Sequence, residues 1–146
     1  MDTEDLLRLL NVHKVEFVII GATAFPIHGY ARATLDIDIF IRPDPQNASH
    51  VFKAFKDFGY DLSDITVEDL LTQKVLIRQY LVETDIHPFV TGVAFDQIWE
   101  NRVLGTYGNE NVFYASLDDL IIMKEAAGRP KDLEDLKVLR ILKQKK

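Results

Sequence analysis

The stretch Leu35-Asp-Ile-Asp-Ile-Phe-Ile41 alternates aliphatic and acidic residues with the period of two that a β-strand has, and the predicted strand spans residues 35–42. On such a strand Asp36 and Asp38 stand side by side on one face, about 7 Å apart at the backbone. Aspartate is disfavoured in strands, and two like charges so close repel each other. A divalent cation would remove that cost, because hard cations prefer several oxygen ligands. The alternative interpretation is an edge strand that turns two acids to solvent as a guard against aggregation.

The sequence before this strand favours the metal site. Residues 16–20 form a β-branched and aromatic run that stops at Gly21, which predicts a buried strand. Residues 22–30 are predicted to form a short helix that ends near Gly29, despite Pro26. Glycine at such a turn lets a ligand approach the backbone, and a helix start offers free N–H groups to an anion. The strand, the glycine turn and the return to the carboxylate strand together predict a phosphate-binding arrangement.

Candidates for a third carboxylate lie in the stretch Leu81-Val-Glu-Thr-Asp-Ile-His87. On a strand, Glu83, Asp85 and His87 would share one face. From the residues alone, Asp85 is either part of the acidic site or a solvent-facing strand residue, and Glu83 is the alternative third carboxylate. His87 and His28 are weaker candidates for contact with a substrate, because a histidine is more often a satisfied polar residue.

The remaining chain predicts a mixed order of helices and strands. Helices are predicted over residues 3–10, 45–58, 92–101, 116–127 and 130–142, and one or two helical turns over 66–71. One or two strands are predicted within 75–89, most clearly over 79–87, and short strands over 103–107 and 111–114. Strands and helices alternate early and then mix, which predicts one α/β or α+β domain over residues 1–146.

Composition excludes several classes of protein. The chain has 146 residues, a formal net charge of −6 and no cysteine. The lack of cysteine excludes disulfides and thiolate chemistry and fits a cytoplasmic protein. The longest apolar stretches are far shorter than the roughly 20 residues of a membrane span, so no membrane partner is expected. An acidic protein repels a phosphate backbone over most of its surface, which disfavours a general nucleic-acid-coating role.

The chain resembles the DNA polymerase β-like nucleotidyltransferase superfamily over residues 17–38, which read Phe-Val-Ile-Ile-Gly-Ala-Thr-Ala-Phe-Pro-Ile-His-Gly-Tyr-Ala-Arg-Ala-Thr-Leu-Asp-Ile-Asp. That family's signature is a Gly-Gly or Gly-Ser turn, a short helix, Asp-x-Asp on a strand and a third carboxylate on a later strand. A second motif, Lys124-Glu-Ala-Ala-Gly-Arg-Pro-Lys-Asp-Leu-Glu-Asp135, is similar to the downstream Lys, Arg and Asp-x-x-Asp run of small bacterial members grouped with AbiEii-type toxins and minimal nucleotidyltransferases.

The resemblance implies a nucleotidyltransferase fold, a small mixed sheet flanked by helices, and transfer of a nucleoside monophosphate from an NTP such as ATP to a hydroxyl. Asp36, Asp38 and Asp85 would be catalytic and would hold Mg²⁺ or Mn²⁺. Residues implied to contact the nucleotide are Gly21, Ala22, Thr23, Arg32 and Lys124. The implied acceptor is a tRNA, a protein or a small molecule, and the toxin-like relatives imply a toxin or antitoxin partner.

One residue departs from the family pattern. Ala22 stands where the family has Ser or Gly, so a hydroxyl that would help to hold phosphate is missing, and Thr23 is the candidate substitute. The departure leaves open a catalytically silent nucleotide-binding or interaction module. Lys124 is interpreted either as a triphosphate contact or as an exposed helix lysine. Asp132 and Asp135 are interpreted as first-turn acids that the helix dipole favours.

Overall fold

The computed structural model describes residues 1–34, 36–79 and 82–145. The elements in chain order are α1 (Thr3–Val12), β1 (Phe17–Ile20), β2 (Asp36–Ile41), α2 (Pro45–Phe58), α3 (Asp69–Thr72), β3 (Val75–Ile77), β4 (Glu83–His87), α4 (Phe95–Glu100), β5 (Val103–Tyr107), β6 (Glu110–Tyr114), α5 (Leu117–Ala127) and α6 (Leu133–Gln144).

The six strands form one mixed sheet in the order β3-β4-β2-β1-β6-β5. Strand β2 runs antiparallel to β1 on one side and parallel to β4 on the other. The predicted fold class, a small mixed sheet with helices, is therefore confirmed. Because β2 has a partner strand on each side, the alternative of an acid-guarded edge strand is wrong.

The aliphatic face of β2 is buried, as the alternation predicts. Ile37, Ile39 and Ile41 are each at most 3% exposed, and β1 beside them is buried along its whole length. Helix α1 adds Leu6 and Leu10 to this core and packs against α2. Burial of aliphatic and aromatic side chains is the main force that holds the sheet in place.

Helix α2 has the predicted bounds because both of its ends are encoded locally. The Asp44 side chain accepts a hydrogen bond from the Asn47 amide, and Pro45 occupies the first helical position. Gly59 adopts the left-handed conformation that ends the helix. Helix α5 is similarly bounded by the Ser116 cap and by Gly128.

Other predicted elements differ from the structure. The predicted helix over residues 22–30 is replaced by two 3₁₀ turns, Gly21–Ala24 and Pro26–His28, because Pro26 offers no N–H to continue a helix. The helical turns predicted over 66–71 correspond to α3, which lies slightly later in the chain, and the helix predicted over 92–101 is the shorter α4. The strand predicted over 79–87 starts only at Glu83 in the structure, and its Tyr80 and Leu81 lie outside the described residues, as does Leu35.

The last predicted helix is divided into a 3₁₀ turn, Pro130–Asp132, and α6. Proline at the first position of the turn fits its fixed backbone dihedral. Across the described parts of the chain, the helices are all too short or too polar to cross a membrane.

Candidate active site

The acidic residues lie together because β2 and β4 are parallel and in a defined register. Asp38 pairs with Asp85, and the next pair toward the start of both strands on this face is Asp36 with Glu83. Paired residues on neighbouring strands project from the same face. Asp85, the third carboxylate that the resemblance implies, therefore lies beside Asp38, and four carboxylates share one face of the sheet.

The carboxylate face is covered at one end and open at the other. Phe40, the next residue on the face, is buried against Phe95 of α4, with ring centroids 5.3 Å apart. The acidic part lines a cavity of about 520 Å³. The exposed fraction of the side chain is 35% for Asp36, 25% for Asp38 and 9% for Asp85. The acids are thus accessible from the cavity while partly withdrawn from water.

Gly21 places its backbone directly against Asp38. Its φ is +67°, and a Cβ atom added there would lie 2.7 Å from Oδ2 of Asp38. Only glycine fits this position without displacing the carboxylate. The turn continues as the four-residue 3₁₀ segment, so the predicted α-helix N-terminus that would offer N–H groups to phosphate is absent from residues 21–28.

The two residues after Gly21 are oriented differently. Ala22 lines both the carboxylate cavity and a second cavity of about 390 Å³, whereas Thr23 lines only the second. The Thr23 hydroxyl donates a hydrogen bond to the Asp36 carbonyl at 3.3 Å, and the Thr34 hydroxyl donates to the same carbonyl at 3.1 Å. Thr23 therefore supports the start of β2, and the structure does not bring its hydroxyl to the carboxylate cavity.

Sequence reasoning missed Arg78, whose guanidinium lies among the carboxylates. Its Nη1 is 2.5 Å from Asp85 Oδ1. Its Nη2 lies 3.7 Å from Asp36 Oδ2, and its Nε lies 3.7 Å from Glu83 Oε2. Arg78 follows β3, which pairs antiparallel with β4 so that Leu76 opposes Asp85. The pairing of β3 with β4 was the missing information, because only that register puts Arg78 next to the acids.

The carboxylates are crowded enough to perturb one another. A hydrogen bond with Asp36, followed by partial burial, raises the pKa of Glu83. The hydrogen bond to Asp85 raises the pKa of Arg78 above its ordinary value. Both shifts have the sign expected of a cluster of negative charges that favours any nearby cation or proton.

The donor atoms suit a hard divalent cation, although they are not yet arranged as its ligands. Carboxylate oxygens from Asp36, Asp38 and Asp85 line one cavity, and such oxygens are the ligands that Mg²⁺ prefers. Among residues 1–34, 36–79 and 82–145, no three acidic or histidine side chains converge closely enough to hold a metal ion as they stand. At Asp85 the place of a cation is taken by Arg78. The chemistry of these residues therefore fits a metal ion, provided that the contact between Arg78 and Asp85 is broken.

The two histidine candidates occupy different environments. His87 reaches the site, with Nε2 at 2.9 Å from Asp38 Oδ1. His28 is buried, and its Nε2 lies 2.8 Å from the Ala115 carbonyl oxygen. His87 thus contacts the acidic cluster, whereas His28 is buried against the Ala115 backbone and does not line the cavity.

Lys124 and the two aspartates of the downstream motif form a buried ion network on the same cavity. Lys124 Nζ lies 3.0 Å from Asp132 and 3.3 Å from Asp135. The exposed fractions of these side chains are 16% for Lys124, 3% for Asp132 and 5% for Asp135. The interpretation of Lys124 as an exposed helix lysine is therefore wrong. The two aspartates are held by ion pairs, so the helix dipole alone does not explain them.

Two arginines extend this network. Arg129 Nε donates to Asp132 at 2.8 Å, and Arg32 Nη1 donates to Asp135 at 2.6 Å. The Tyr30 hydroxyl also donates to Asp135, at 2.8 Å, which raises the pKa of Tyr30. A buried carboxylate is stable only with such partners, because its desolvation is costly. In return, the aspartates hold Arg32, Lys124 and Arg129 against the cavity.

Asp132 has the most strongly perturbed carboxyl of the network. Its burial by itself would raise the pKa, but hydrogen bonds from Arg129 and Lys124 outweigh burial and lower the pKa to about 2. The carboxylate is therefore ionised at any pH at which the protein is expected to work. The charged network is a permanent feature of the cavity wall.

The cavity carries more positive charge than the protein as a whole, whose net charge is −6. Its cationic lining residues are Arg32, Lys74, Arg78, Lys124, Arg129 and Lys131, and its acidic ones are Asp36, Asp38, Asp85, Asp132 and Asp135. Within the described parts of the chain, the side chains of Lys74 and Lys131 form no ion pair. A cavity with both a carboxylate cluster and surplus cations suits a ligand that combines a metal ion with phosphate groups.

The comparison with known protein families agrees with this chemistry. A family model described as "Nucleotidyltransferase of unknown function (DUF6036)" matches residues 2–145, nearly the whole chain. No curated protein sequence matches the chain. The match concerns nucleotidyltransferases in general, and the narrower kinship with AbiEii-type and minimal nucleotidyltransferases stays a prediction.

Proposed function

The chain belongs to this family of nucleotidyltransferases, and on that premise we propose that it moves a nucleoside monophosphate from an NTP to an acceptor hydroxyl, with Mg²⁺ or Mn²⁺. The observation that carries the proposal is the parallel register of β2 and β4. That register puts Asp36, Asp38 and Asp85 on one face, in a cavity that also contains the Lys124 network.

The proposed reaction is a displacement at the α-phosphorus of the NTP. A bond forms from the acceptor oxygen to the α-phosphorus, the bond to the bridging oxygen of the β-phosphate breaks, and pyrophosphate leaves. Asp36, Asp38 and Asp85 would hold the divalent cation, which when bound neutralises charge on the triphosphate and on the entering and leaving oxygens. Asp85 would also help to remove the proton of the attacking hydroxyl.

The remaining residues would bind the triphosphate. Lys124 and Arg32 present cationic groups that Asp135 and Asp132 keep in place. Fixed cations stabilise developing charge better than mobile ones, because they need no reorganisation during the reaction. The Gly21–Ala22 backbone would approach the phosphates at the mouth of the acidic cluster. Thr23 has a lesser part in this proposal, since its hydroxyl is bonded to the Asp36 carbonyl.

The test is label transfer from each α-labelled NTP, with Mg²⁺, in a cell extract. Labelled RNA, protein or small molecule identifies the acceptor class, including a tRNA end or a partner protein of a toxin–antitoxin pair. The wild-type chain is expected to label an acceptor, and the Asp36→Asn/Asp38→Asn variant is expected to fold but to label it at least about 100-fold more slowly. Equal labelling by the two proteins would contradict the assignment.

A second candidate function is a catalytically silent nucleotide-binding or interaction module. It is favoured by Ala22, which brings no hydroxyl to the cavity, and by Arg78, which is bonded to Asp85. This candidate predicts that the protein binds an NTP without any labelled product in the extract assay. Ligand-dependent thermal stabilisation separates binding from the absence of binding.

A further inference from the structure

The Arg78 guanidinium lies among carboxylates of two strands. It contacts Asp85 at 2.5 Å and lies 3.7 Å from Asp36 of β2 and from Glu83 of β4. No other basic side chain in the described residues is paired with Asp36 or Asp85. Arg78 therefore supplies the positive charge that this cluster needs, since carboxylates so close repel one another.

The Arg78 side chain is held by these ion pairs more than by packing. It is 39% exposed, and it follows β3, which lies at the edge of the sheet. An arginine at such a site can leave its partners without breaking the core, because its guanidinium already borders the cavity. Its departure would leave Asp36 and Asp85 facing the cavity without a basic partner among the described residues.

A divalent cation and Arg78 compete for the same oxygen atoms. A cation bound by Asp85 uses the carboxylate to which Arg78 donates, and the two positive charges would repel each other within a few ångströms. Metal binding without a nucleotide would therefore break the ion pairs of Arg78. A bound NTP would compensate for this loss, because its phosphates offer the displaced guanidinium a new anionic partner in the same cavity.

We infer that Arg78 is a resident counter-ion that a divalent cation displaces and that then binds the triphosphate, so that metal and nucleotide bind cooperatively. The inference rests on the proposed function for its nucleotide half. Its metal half depends only on the contacts of Arg78 with Asp36 and Asp85. Arg78 thus competes with the metal for the carboxylate oxygens and, once displaced, would contact the nucleotide directly.

The chain offers a matched control in Lys74. Lys74 lines the same cavity and carries the same charge, but it forms no ion pair with the carboxylates that the structure describes. Arg78→Gln and Lys74→Gln each remove one positive charge from the cavity. Only Arg78→Gln frees the carboxylate oxygens of Asp36 and Asp85 that would coordinate a metal ion.

The experiment measures Mn²⁺ binding to the full chain by the electron paramagnetic resonance signal of free Mn²⁺, with and without a non-hydrolysable NTP analogue. Without nucleotide, Arg78→Gln is expected to bind Mn²⁺ about tenfold more tightly than the wild type, and Lys74→Gln to change the affinity by less than about twofold. With the analogue, the wild-type affinity for Mn²⁺ should rise by a larger factor than that of Arg78→Gln. If Arg78→Gln does not fold, Arg78→Lys, which loses the planar fork, should show a smaller change in the same direction.

Unchanged Mn²⁺ affinity in Arg78→Gln, or in Arg78→Lys where that variant is used, would overturn the inference. So would an equal gain in Lys74→Gln, because the effect would then be general electrostatics. The nucleotide-free measurement also separates this inference from the proposed function. Tighter Mn²⁺ binding by Arg78→Gln together with a wild-type chain that labels nothing would support the counter-ion role and contradict transfer.

Discussion

Asp38 and Asp85 are register partners on the parallel strands β2 and β4, and Gly21 closes against the Asp38 carboxylate from the β1 side. This relationship joins the sheet topology to the chemistry of the cavity. The carboxylates are neighbours because of strand pairing, and the glycine turn is close because β1 pairs Ile20 with Asp38. Substitutions at the Asp38–Asp85 pair or at the Gly21–Asp38 contact are therefore expected to alter the site without changing the fold.

Gly21→Ala should destabilise the protein and disturb Asp38. The substitution adds a Cβ atom 2.7 Å from Oδ2 of Asp38 and forces alanine to a φ of +67°. We expect a loss of about 1–3 kcal/mol in the free energy of unfolding, together with weaker Mn²⁺ binding. Gly59→Ala is the control, because Gly59 also has positive φ but its Cβ would meet nothing within 4 Å. A comparable loss of Mn²⁺ affinity in Gly59→Ala would show that backbone strain, and not the contact with Asp38, is responsible.

Asp132→Asn should reduce stability in a pH-dependent manner. The ordinary pKa of the carboxyl is 3.8, and that of folded Asp132 is about 2. A lowered pKa stabilises the folded state above the unfolded pKa, and the contribution is lost as the pH falls from about 4 to about 2. The shift corresponds to about 2 kcal/mol, so Asp132→Asn should be less stable than the wild type at pH 7. Its free energy of unfolding, measured with urea, should also fall less steeply than that of the wild type as the pH is lowered from about 4 to about 2.

The control for this prediction is Asp118→Asn. Asp118 also pairs with a lysine, Lys143, but its side chain is 63% exposed. Such a surface pair contributes little to stability. If the two variants lose the same stability at pH 7, the buried network is not the source of the effect.

Lys124→Gln should weaken nucleotide binding more than metal binding. Its ammonium lines the cavity and is paired with Asp132 and Asp135 rather than with Asp36, Asp38 or Asp85. We expect about a tenfold weaker affinity for a non-hydrolysable NTP analogue, measured by calorimetry. Lys143→Gln, in the exposed pair with Asp118, should leave that affinity unchanged. An equal loss in both variants would contradict a specific role for Lys124.

Ala22→Ser should strengthen nucleotide binding. Ala22 borders the carboxylate cavity, so a hydroxyl added there is placed to donate to a phosphate, which the Thr23 hydroxyl is not. A new hydrogen bond to a charged group contributes about 1.5–3 kcal/mol, so a gain of at least about tenfold in analogue affinity is expected. Thr23→Val should have little effect on that affinity. A weaker affinity in Ala22→Ser would mean that the turn does not face the phosphates.

Features encoded within a short segment could be predicted from the sequence. Helix α2 has the predicted bounds because Asp44, Pro45 and Gly59 specify its two ends. The shared face of Asp36 and Asp38 follows from the period of a strand, which does not depend on the rest of the fold. The prediction of a short helix after Gly21 was wrong, because Pro26 interrupts the segment.

Features that depend on pairing between distant segments could not be predicted in this way. Arg78 reaches the acids only through the register of β3 with β4, and a lone arginine after an apolar run gives no sign of it. The burial of Asp132 and Asp135 depends on partners from two other segments, Arg32 and Lys124. The interior position of β2 is likewise a property of the whole sheet.

The most direct test of the central claim compares label transfer from α-labelled NTPs by the wild type and by Asp36→Asn/Asp38→Asn. Both proteins are first shown by circular dichroism and thermal unfolding to be folded. The proposed function predicts a labelled acceptor with the wild type and a rate at least about 100-fold lower with the variant, because the two carboxylates that would hold the metal have lost their charge. Labelling by the folded variant at the wild-type rate would contradict it.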